Sequence, residues 1–284
     1  MNTWVLGARP KTFPAALAPV LVATALAGDK SALAPSLLAL VVSLGLQIGV
    51  NYANDYSDGI RGTDTDRVGP TRITAAGLAS PQSVKRAAFI SFVIAGIAGL
   101  ALAAMSSWWL IAVGALAIAA AWGYTGGKNP YGYLGFGELF VFIFFGLVAT
   151  IGSYYVQVGE ITFESLLVAI PMGAFSCALL AINNIRDRAL DQKAGKRTLA
   201  VRLGDRASRK FFIALLVIGY LTIFALGKPW ALLSLFTLTT AYPLVKGVLS
   251  KAEGAELLPY LALTGKLQLQ FSIALAIGLE LSHA

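Results

Sequence analysis

Long apolar segments dominate this sequence and constrain its fold more than any other feature. Nine of them are long enough to cross a bilayer, which takes about 17–25 helical residues. They cover residues 12–28, 34–54, 86–104, 107–124, 136–157, 163–184, 208–227, 230–248 and 258–281. No interval between them could hold a separate soluble domain. We therefore predict an all-α fold, a polytopic membrane bundle of about nine transmembrane helices in which residues 1–284 form a single integral-membrane domain.

Positively charged residues are distributed unevenly among the connections, and their distribution predicts the orientation of the chain. Nineteen of the 22 Lys and Arg residues fall on the side that carries the N-terminus, whereas the opposite side has only Lys30 and Lys228. Because cytoplasmic loops carry the excess of positive charge in membrane proteins, we expect a cytoplasmic N-terminus and, after nine spans, an external C-terminus. The net charge of +8 therefore reflects orientation, and we predict no nucleic-acid partner.

The composition excludes several kinds of active site. With one Cys and one His among 284 residues, the chain can form neither a disulfide scaffold nor a zinc site built from these residues. The single histidine, His283, is the penultimate residue, which argues against a Ser-His-Asp triad.

Acidic and amide side chains are concentrated where the second and sixth spans end on the cytoplasmic side. At 100° per residue, the polar residues of each stretch fall on one face of a helix. The first face carries Asn51, Asp55 and Asp58, with Asn54 alongside, and the second carries Asn184, Asp187 and Asp191. Four spans separate these two acidic strips, which indicates two related halves that each supply one acidic face.

The two strips predict a site for a hard divalent cation. Carboxylates near a bilayer are costly and are normally retained for a function. Ligand sets made only of oxygen suit Mg²⁺ or Mn²⁺, and a cation would relieve the repulsion among acids that face one cavity. The alternative is that both strips are solvated helix ends whose acids pair with nearby Arg and Lys. That alternative does not explain why Asn and Asp recur on one face in both halves.

Basic residues lie between and after the acids and predict an anionic ligand. They are Arg61, Arg67, Arg72, Arg186, Lys193, Lys196 and Arg197. Mg²⁺ held by a few carboxylates usually completes its shell with substrate phosphate oxygens. The sequence has no Gly-rich loop ending in Lys-Ser/Thr, which disfavours a nucleotide. A diphosphate on a long prenyl chain suits a groove between membrane helices, since each buried CH₂ contributes about 0.8 kcal/mol.

Several further stretches, taken together with the strips, resemble the UbiA superfamily of intramembrane aromatic prenyltransferases. They are residues 9–12, 54–58, 66–72, 124–133, 144–146 and 197–204. The resemblance covers nearly the whole chain and is greatest for the branch that prenylates 1,4-dihydroxy-2-naphthoate in menaquinone synthesis. One departure is that the last acid of the first motif, Asp64, lies later than in the commonest spacing, which leaves the ligand roles of Asp64 and Asp66 open.

The resemblance implies a reaction and its participants. Mg²⁺, with Mn²⁺ as an alternative, would polarise an allylic polyprenyl diphosphate until its carbon–oxygen bond breaks. The ring of 1,4-dihydroxy-2-naphthoate would attack the resulting cation, and loss of CO₂ and diphosphate would leave demethylmenaquinol. The implied partners are these two substrates and the lipid bilayer, with no protein partner inferable. The implied location is a bacterial plasma membrane, with the active site on its cytoplasmic side.

The resemblance also assigns roles to individual residues. The metal ligands would be Asp55, Asp58, Asp64, Asn184, Asp187 and Asp191. The catalytic set would be Asp55, Asp58, Asp187, Asp191 and Tyr124. The diphosphate would be held by Asn54, Arg61, Lys128, Arg186 and Asn184. The ring face of Tyr124 would steady the allylic cation by cation–π attraction.

Some of these residues have structural alternatives. Tyr124 is also typical of a helix end at the membrane interface, and Lys128 satisfies the orientation rule without a ligand. Lys266, the one base inside a span, could reach the naphthoate carboxylate or extend to the membrane surface. Glu138 is expected to stabilise the N-terminus of the fifth span electrostatically, and Arg9 could serve either topology or anion contact.

The function has alternatives as well. Other members of the superfamily would use 4-hydroxybenzoate, chlorophyll or haem as the acceptor. A secondary transporter could also place a polar site between two halves, but here the acids cluster at the cytoplasmic rim and not at mid-depth.

Overall fold

The computed structural model describes residues 2–63, 69–250 and 252–283, and within these ranges the chain forms helices and no β-strand. A short N-terminal helix, Thr3–Ala8, precedes nine longer ones. These are α1 (Pro14–Ala27), α2 (Leu33–Arg61), α3 (Pro81–Met105), α4 (Leu110–Gly123), α5 (Gly137–Val158), α6 (Phe163–Lys193), α7 (Leu199–Ala225), α8 (Pro229–Val248) and α9 (Leu258–Leu281). The predicted ligand Asp64 lies outside the described residues.

A helix occupies each of the nine predicted spans, and the all-α prediction is confirmed. Seven helices in the described ranges are long and apolar enough to cross a membrane, with α9 counted together with the turn before it. The segment 3–30, bent by 51° at its break, makes an eighth if it crosses as one span. The remaining helix, α4, is apolar but has only 14 residues. The protein is therefore a multi-pass membrane protein.

Two of the helices extend well beyond their predicted apolar spans. Helix α2 continues to Arg61 and α6 continues to Lys193, so both acidic strips lie on the last turns of a regular helix. Each helix ends near a glycine with positive φ, Gly62 at 70° and Gly195 at 74°. Since glycine adopts this left-handed conformation without steric cost, the sequence itself ends each helix there.

In each half, one pair of consecutive long helices packs closely together. In the first half α2 and α3 run antiparallel, because Gly45 faces Ala95 whereas Gly49, one turn later, faces Phe92. Helices α6 and α7 pack together along most of their length in the second half. Helix α7 is broken at Gly204, whose φ of 76° is not helical. The predicted span begins at residue 208, just after this break.

The core of the molecule is built around α6. Of the residues in its apolar window, 83% are buried, against 50% or less in the other spanning helices of the described ranges. Phe175 of α6 stacks edge-to-face on Tyr220 of α7 and Phe271 of α9, with ring centroids 5.8 and 4.6 Å apart. Such aromatic contacts stabilise a core beyond the area that they bury. They hold α6, and with it the second acidic strip, in a fixed position.

The two ends of the described chain lie at opposite ends of the bundle. The ring of His283, after α9, packs against Gly28 at the end of α1. Arg9, before α1, instead reaches the end of α2 that carries the first acidic strip, where it pairs with Asp55. The acidic strips therefore lie at the end of the bundle where α1 begins, and α9 ends at the other.

Candidate functional site

A cavity of about 550 Å³ lies inside the bundle, between α2, α4, α5 and α6. Both acidic strips contribute to its polar end. The strip residues in its wall are Asn51, Asn54, Asp58, Asn184, Asp187 and Asp191. The rest of the wall is largely apolar and includes Leu46, Val113, Phe144 and Val148. Residues about 130 positions apart in the sequence thus face a single space, as the two-strip pattern predicted.

Asp58, an acid of the first strip that lines this cavity, contacts three other side chains. Tyr133 donates its hydroxyl to Oδ1 of Asp58, and the Lys196 ammonium lies 3.5 Å from the same oxygen. Arg72 Nη2 lies 3.9 Å from Oδ2. Burial and the Asp58 carboxylate raise the pKa of the Tyr133 phenol far above its ordinary value of 10.0, so the hydroxyl stays protonated and remains a donor.

Lys196 connects the two strips directly. Its ammonium lies 3.5 Å from Asp58 on α2 and 3.8 Å from Asp191 on α6. It also sits over the ring of Tyr133, 4.6 Å from the centroid, and the residue is only 8% exposed. A positive charge is therefore already accommodated between carboxylates from both halves.

The second strip contains a buried ion pair. Arg186 donates from Nε and Nη2 to the two carboxylate oxygens of Asp187, both at 2.7 Å. Such a bidentate pair is among the strongest charged hydrogen bonds in proteins. The predicted diphosphate ligand Arg186 and the predicted metal ligand Asp187 thus contact each other in this conformation.

Asn184 is oriented by a residue outside the cavity wall. Its Nδ2 donates to Glu138 Oε1 over 2.8 Å, which directs its amide oxygen away from Glu138. Glu138 lies in the first turn of α5, as expected of a helix N-terminal acid, and is 6% exposed. Its other oxygen, Oε2, is buried without a hydrogen-bond partner among the described atoms.

Asp55 was predicted to bind metal, and the structure places it elsewhere. Its carboxylate is fully buried and accepts hydrogen bonds from the backbone N–H groups of Ile73 and Thr74 at 3.0 and 2.8 Å. Arg9 Nη2 adds an ion pair at 3.5 Å. The described cavity wall includes Asn54 and Asp58 but not Asp55. The sequence pattern gave a shared helix face but could not show that the loop after α2 folds back onto this carboxylate.

Four other predicted site residues also lie apart from the described cavity wall. One of them is Arg186, which pairs with Asp187. Arg61 donates to the backbone carbonyls of Thr125 and Gly127 and so ties the end of α2 to the loop before α5. Lys128 is exposed in that loop, and Lys266 is exposed on the outside of α9. The ligand roles of Arg61, Lys128 and Lys266 stay predictions.

Tyr124 does line the cavity, at the end of α4. Its ring packs edge-to-face on Tyr131, with centroids 5.5 Å apart, and Tyr131 stacks on Phe140 at 4.0 Å. Three aromatic rings therefore lie along the wall next to the polar end. Their faces carry partial negative charge and attract cations.

Tyr133 is a site residue that sequence reasoning did not single out. It was noted only as part of residues 124–133, a loop rich in Gly and Tyr. The structure gives it a hydrogen bond to Asp58, a position beneath Lys196, and a backbone contact in which its carbonyl accepts from Arg197 N–H at 2.8 Å. The signal that could have found it is an aromatic loop in the connection between the two halves.

The oxygen atoms that face the cavity are of the kind that binds a hard divalent cation, but they are not gathered into a metal-binding cluster. Carboxylate and amide oxygens from both strips face the same space, which suits Mg²⁺-type ions. Within the described ranges, however, no three Asp, Glu, His or Cys side chains converge closely enough to form a metal cage. Asp58, Asp187 and Asp191 are instead compensated by Lys196 and Arg186.

Comparisons with known proteins find similar sequences over nearly the whole chain. A sequence model of the UbiA prenyltransferase family matches residues 16–255. The chain is 50% identical over 277 residues to a protein of Mycobacterium tuberculosis named 1,4-dihydroxy-2-naphthoate octaprenyltransferase, covering 96% of this chain and 95% of that one.

Two solved structures share the fold over nearly their whole length. One is the apo structure of a UbiA homologue from Aeropyrum pernix K1, with a TM-score of 0.70, 17% identity and coverage of 96% of this chain and 98% of the other. The second is a UbiA homologue from Archaeoglobus fulgidus bound to DMAPP and Mg²⁺, with a TM-score of 0.59, 14% identity and coverage of 97% and 100%.

Proposed function

Because the chain belongs to the UbiA prenyltransferase family, we propose that it transfers a polyprenyl group from polyprenyl diphosphate to 1,4-dihydroxy-2-naphthoate. The products are demethylmenaquinol, CO₂ and diphosphate, and the reaction belongs to menaquinone biosynthesis. The observation that carries the proposal is the single cavity that receives both acidic strips at one end and is apolar at the other. The similarity to a named 1,4-dihydroxy-2-naphthoate octaprenyltransferase supports the choice of acceptor.

The polar end of the cavity holds the diphosphate. Asp58, Asp187 and Asp191, with the amides of Asn54 and Asn184, are the residues that would hold Mg²⁺, a metal also bound by the Archaeoglobus fulgidus homologue. When bound, the metal supplies positive charge that stabilises diphosphate as a leaving group. Asp55 is not included in this set, since it does not line the described cavity wall and its oxygens accept from backbone amides of the loop after α2.

The chain's own bases supply further positive charge at this end. Arg72 and Lys196 both line the cavity, and each is nearly buried. In a site sheltered from water, positioned charges stabilise a developing anion more strongly than they would in water. As the allylic carbon–oxygen bond breaks, its electron pair leaves with the diphosphate toward these groups.

The aromatic and apolar walls receive the remaining parts of the substrates. Tyr124 and Tyr131 border the space next to the acids, and we assign them to stabilise the allylic cation by cation–π attraction. The prenyl chain extends along the apolar wall formed by Phe144, Val148 and Leu46. The naphthoate ring then donates an electron pair to form the new carbon–carbon bond and loses its carboxylate as CO₂.

The orientation in the membrane follows from the charge distribution. We place the strip-bearing end of the bundle, with the active site, on the cytoplasmic side of a bacterial plasma membrane, because nineteen of the 22 basic residues belong to connections on that side. The diphosphate is water-soluble and can be released there, whereas the prenyl chain stays in the bilayer.

A direct assay tests the proposal. Purified protein is incubated with Mg²⁺, a polyprenyl diphosphate and either 1,4-dihydroxy-2-naphthoate or 4-hydroxybenzoate, and the products are identified by mass spectrometry. We expect a prenylated naphthoquinol that has lost CO₂, and no prenylated hydroxybenzoate. Prenylation of hydroxybenzoate alone would assign the protein to another branch of the family. Solute movement in vesicles without any prenylated product would favour the transporter alternative.

A further inference from the structure

Lys196 lies between the two strips, next to a carboxylate from each. Its ammonium is within 4 Å of Asp58 Oδ1 and Asp191 Oδ1, the first from α2 and the second from α6. Lys196 is 8% exposed and Asp58 3%. Buried carboxylates without a compensating charge would be strongly destabilising, so this lysine keeps the two strips together when no metal is bound.

We propose that Lys196 is an internal counter-ion that exchanges with the divalent metal, moving from the acidic strips to the diphosphate when metal and substrate bind. This inference rests on the proposed function for the identity of the anion. A divalent cation and an ammonium cannot both lie against the same carboxylate oxygens, since their like charges repel. Metal binding at Asp58 and Asp191 therefore releases the Lys196 side chain.

The backbone around Lys196 allows this exchange without a large movement. Lys196 N–H donates to the Asp191 carbonyl at 2.9 Å, and the next residue donates from Arg197 N–H to the Tyr133 carbonyl at 2.8 Å. These bonds fix the main chain of the turn between α6 and α7. Only the side chain has to rotate, and because Lys196 lines the cavity, its ammonium remains within reach of an anion bound there.

Tyr133 provides a nearby position for the Lys196 ammonium after it leaves Asp58. The Tyr133 ring lies under Lys196 at 4.6 Å, and its hydroxyl donates to the same Asp58 oxygen. An ammonium that leaves Asp58 can stay over the face of this ring, which attracts cations. The same residue holds Asp58 in place after the ammonium has left.

Metal affinity in the absence of diphosphate provides the test. Binding of Mn²⁺ to purified protein in a non-ionic detergent is measured by electron paramagnetic resonance for wild type, Lys196→Gln and Lys210→Gln. Lys210 is an exposed lysine of α7 and its substitution removes the same charge away from the cavity. We expect Lys196→Gln to bind Mn²⁺ at least about tenfold more tightly than wild type, as removal of a nearby like charge predicts. Lys210→Gln should stay within about twofold of wild type, and Lys196→Arg, which keeps the charge, should not gain affinity.

Thermal stability gives an independent readout with the same variants. In EDTA, Lys196→Gln should melt below Lys210→Gln, and Mg²⁺ should close that gap because the metal replaces the missing charge. Equal or weaker Mn²⁺ binding by Lys196→Gln, or a stability gap that persists in saturating Mg²⁺, would overturn the exchange. Neither measurement uses an aromatic acceptor, so failure of the prenyl-transfer assay leaves the result on Lys196 unaffected.

Wild-type protein tests the exchange if Lys196→Gln does not fold. Lysines are acylated with a water-soluble amine-reactive reagent, and the labelled fraction of Lys196 is compared with that of Lys210 by mass spectrometry. Mg²⁺ should raise the ratio several-fold, and inorganic diphosphate added with Mg²⁺ should lower it again. A ratio that Mg²⁺ leaves unchanged would show that the ammonium does not leave the carboxylates.

Discussion

Asp55 and Asp58 lie three residues apart on α2, yet their carboxylates have different surroundings. Asp58 faces the cavity and contacts Tyr133, Lys196 and Arg72. Asp55 is turned toward the loop that follows α2 and accepts two of its backbone N–H groups. A difference of 60° around a helix axis thus separates a proposed metal ligand from a residue that holds a loop.

This contrast predicts different results for the two Asp→Asn substitutions. Asp58→Asn should lower the rate of prenyl transfer by about 10²–10³-fold, as loss of one group that stabilises the transition state does. Asp55→Asn should cost about 1–3 kcal/mol of stability, because its amide nitrogen cannot accept from a backbone N–H and Arg9 loses its ion pair. Thermal melting in detergent and the transfer assay measure the two effects. Full activity of Asp58→Asn would contradict its place in the site.

Glu138 provides a second prediction at this scale. It contacts Asn184 at 2.8 Å and lies behind the cavity wall, so its role is to orient that amide. Glu138→Leu should weaken the apparent Mg²⁺ affinity by about 10–100-fold, the usual effect of losing a group that orients a metal ligand. Glu138→Gln keeps an acceptor for Asn184 and should stay close to wild type. Mg²⁺ titration of activity at saturating substrates separates this effect from a general loss of turnover, and an unchanged Mg²⁺ requirement in Glu138→Leu would exclude the role.

At the scale of helices, the apolar runs predicted where each helix lies better than they predicted where α2 and α6 end. Apolar runs located all nine helices because hydrophobicity is a local property of the sequence. They did not show that α2 and α6 continue for seven or more residues beyond the apolar part, since polar helical turns carry no hydrophobic signal. That both strips line one cavity was predictable, because the same pattern of Asn and Asp recurs on one helix face in each half. The Asp55 contact was not, because it depends on a loop about 18 residues further along the chain.

The packing of α5 on α6 also depends on residues whose role is not visible in the sequence. Residues Phe142–Val148 of α5 form a π-helical turn, and at Gly146 this turn approaches α6 so closely that an added Cβ would lie 2.5 Å from Gly173 Cα. The backbones of the two helices therefore meet at a pair of glycines.

Substitution of Gly146 tests this close approach. Gly146→Ala should destabilise the protein by about 1–3 kcal/mol, the usual cost of overpacking. Gly152→Ala lies in the same helix, where an added Cβ meets no atom of the described residues within 4 Å. It should be neutral or stabilising by up to about 1 kcal/mol, since alanine is the better helix former. Thermal melting of both variants in one detergent gives the comparison. Equal melting temperatures for the two would show that the contact at Gly146 is not tight.

At the scale of the whole molecule, the site exists only where the two halves meet. Asp58 belongs to the first half, Asp191 and Lys196 to the second, and Tyr133 to the connection between them. No local pattern could have shown that one lysine contacts acids of both strips. That all 284 residues form one domain stays a prediction.

Removal of the metal should therefore affect activity but not the contact between the halves. EDTA should stop prenyl transfer, and Mg²⁺ should restore it, because the carboxylates alone cannot neutralise a diphosphate. The protein should remain folded in EDTA, since Lys196 and Arg186 already compensate the acids. Transfer is followed by mass spectrometry and folding by thermal melting. Turnover that is insensitive to the chelator would contradict the proposed mechanism.

The path of the chain through the membrane provides the last prediction. The ring of His283 packs against Gly28, whereas the strips lie at the end where α1 begins, so an odd number of crossings separates the two termini. Together with the excess of basic residues on the strip-bearing side, this predicts a C-terminus outside the cytoplasm. A reporter that is active only outside the cytoplasm should therefore be active when fused to the C-terminus, and a matched fusion in the loop around Lys128 should be inactive. A cytoplasmic signal from the C-terminal fusion would contradict this orientation and the odd number of crossings.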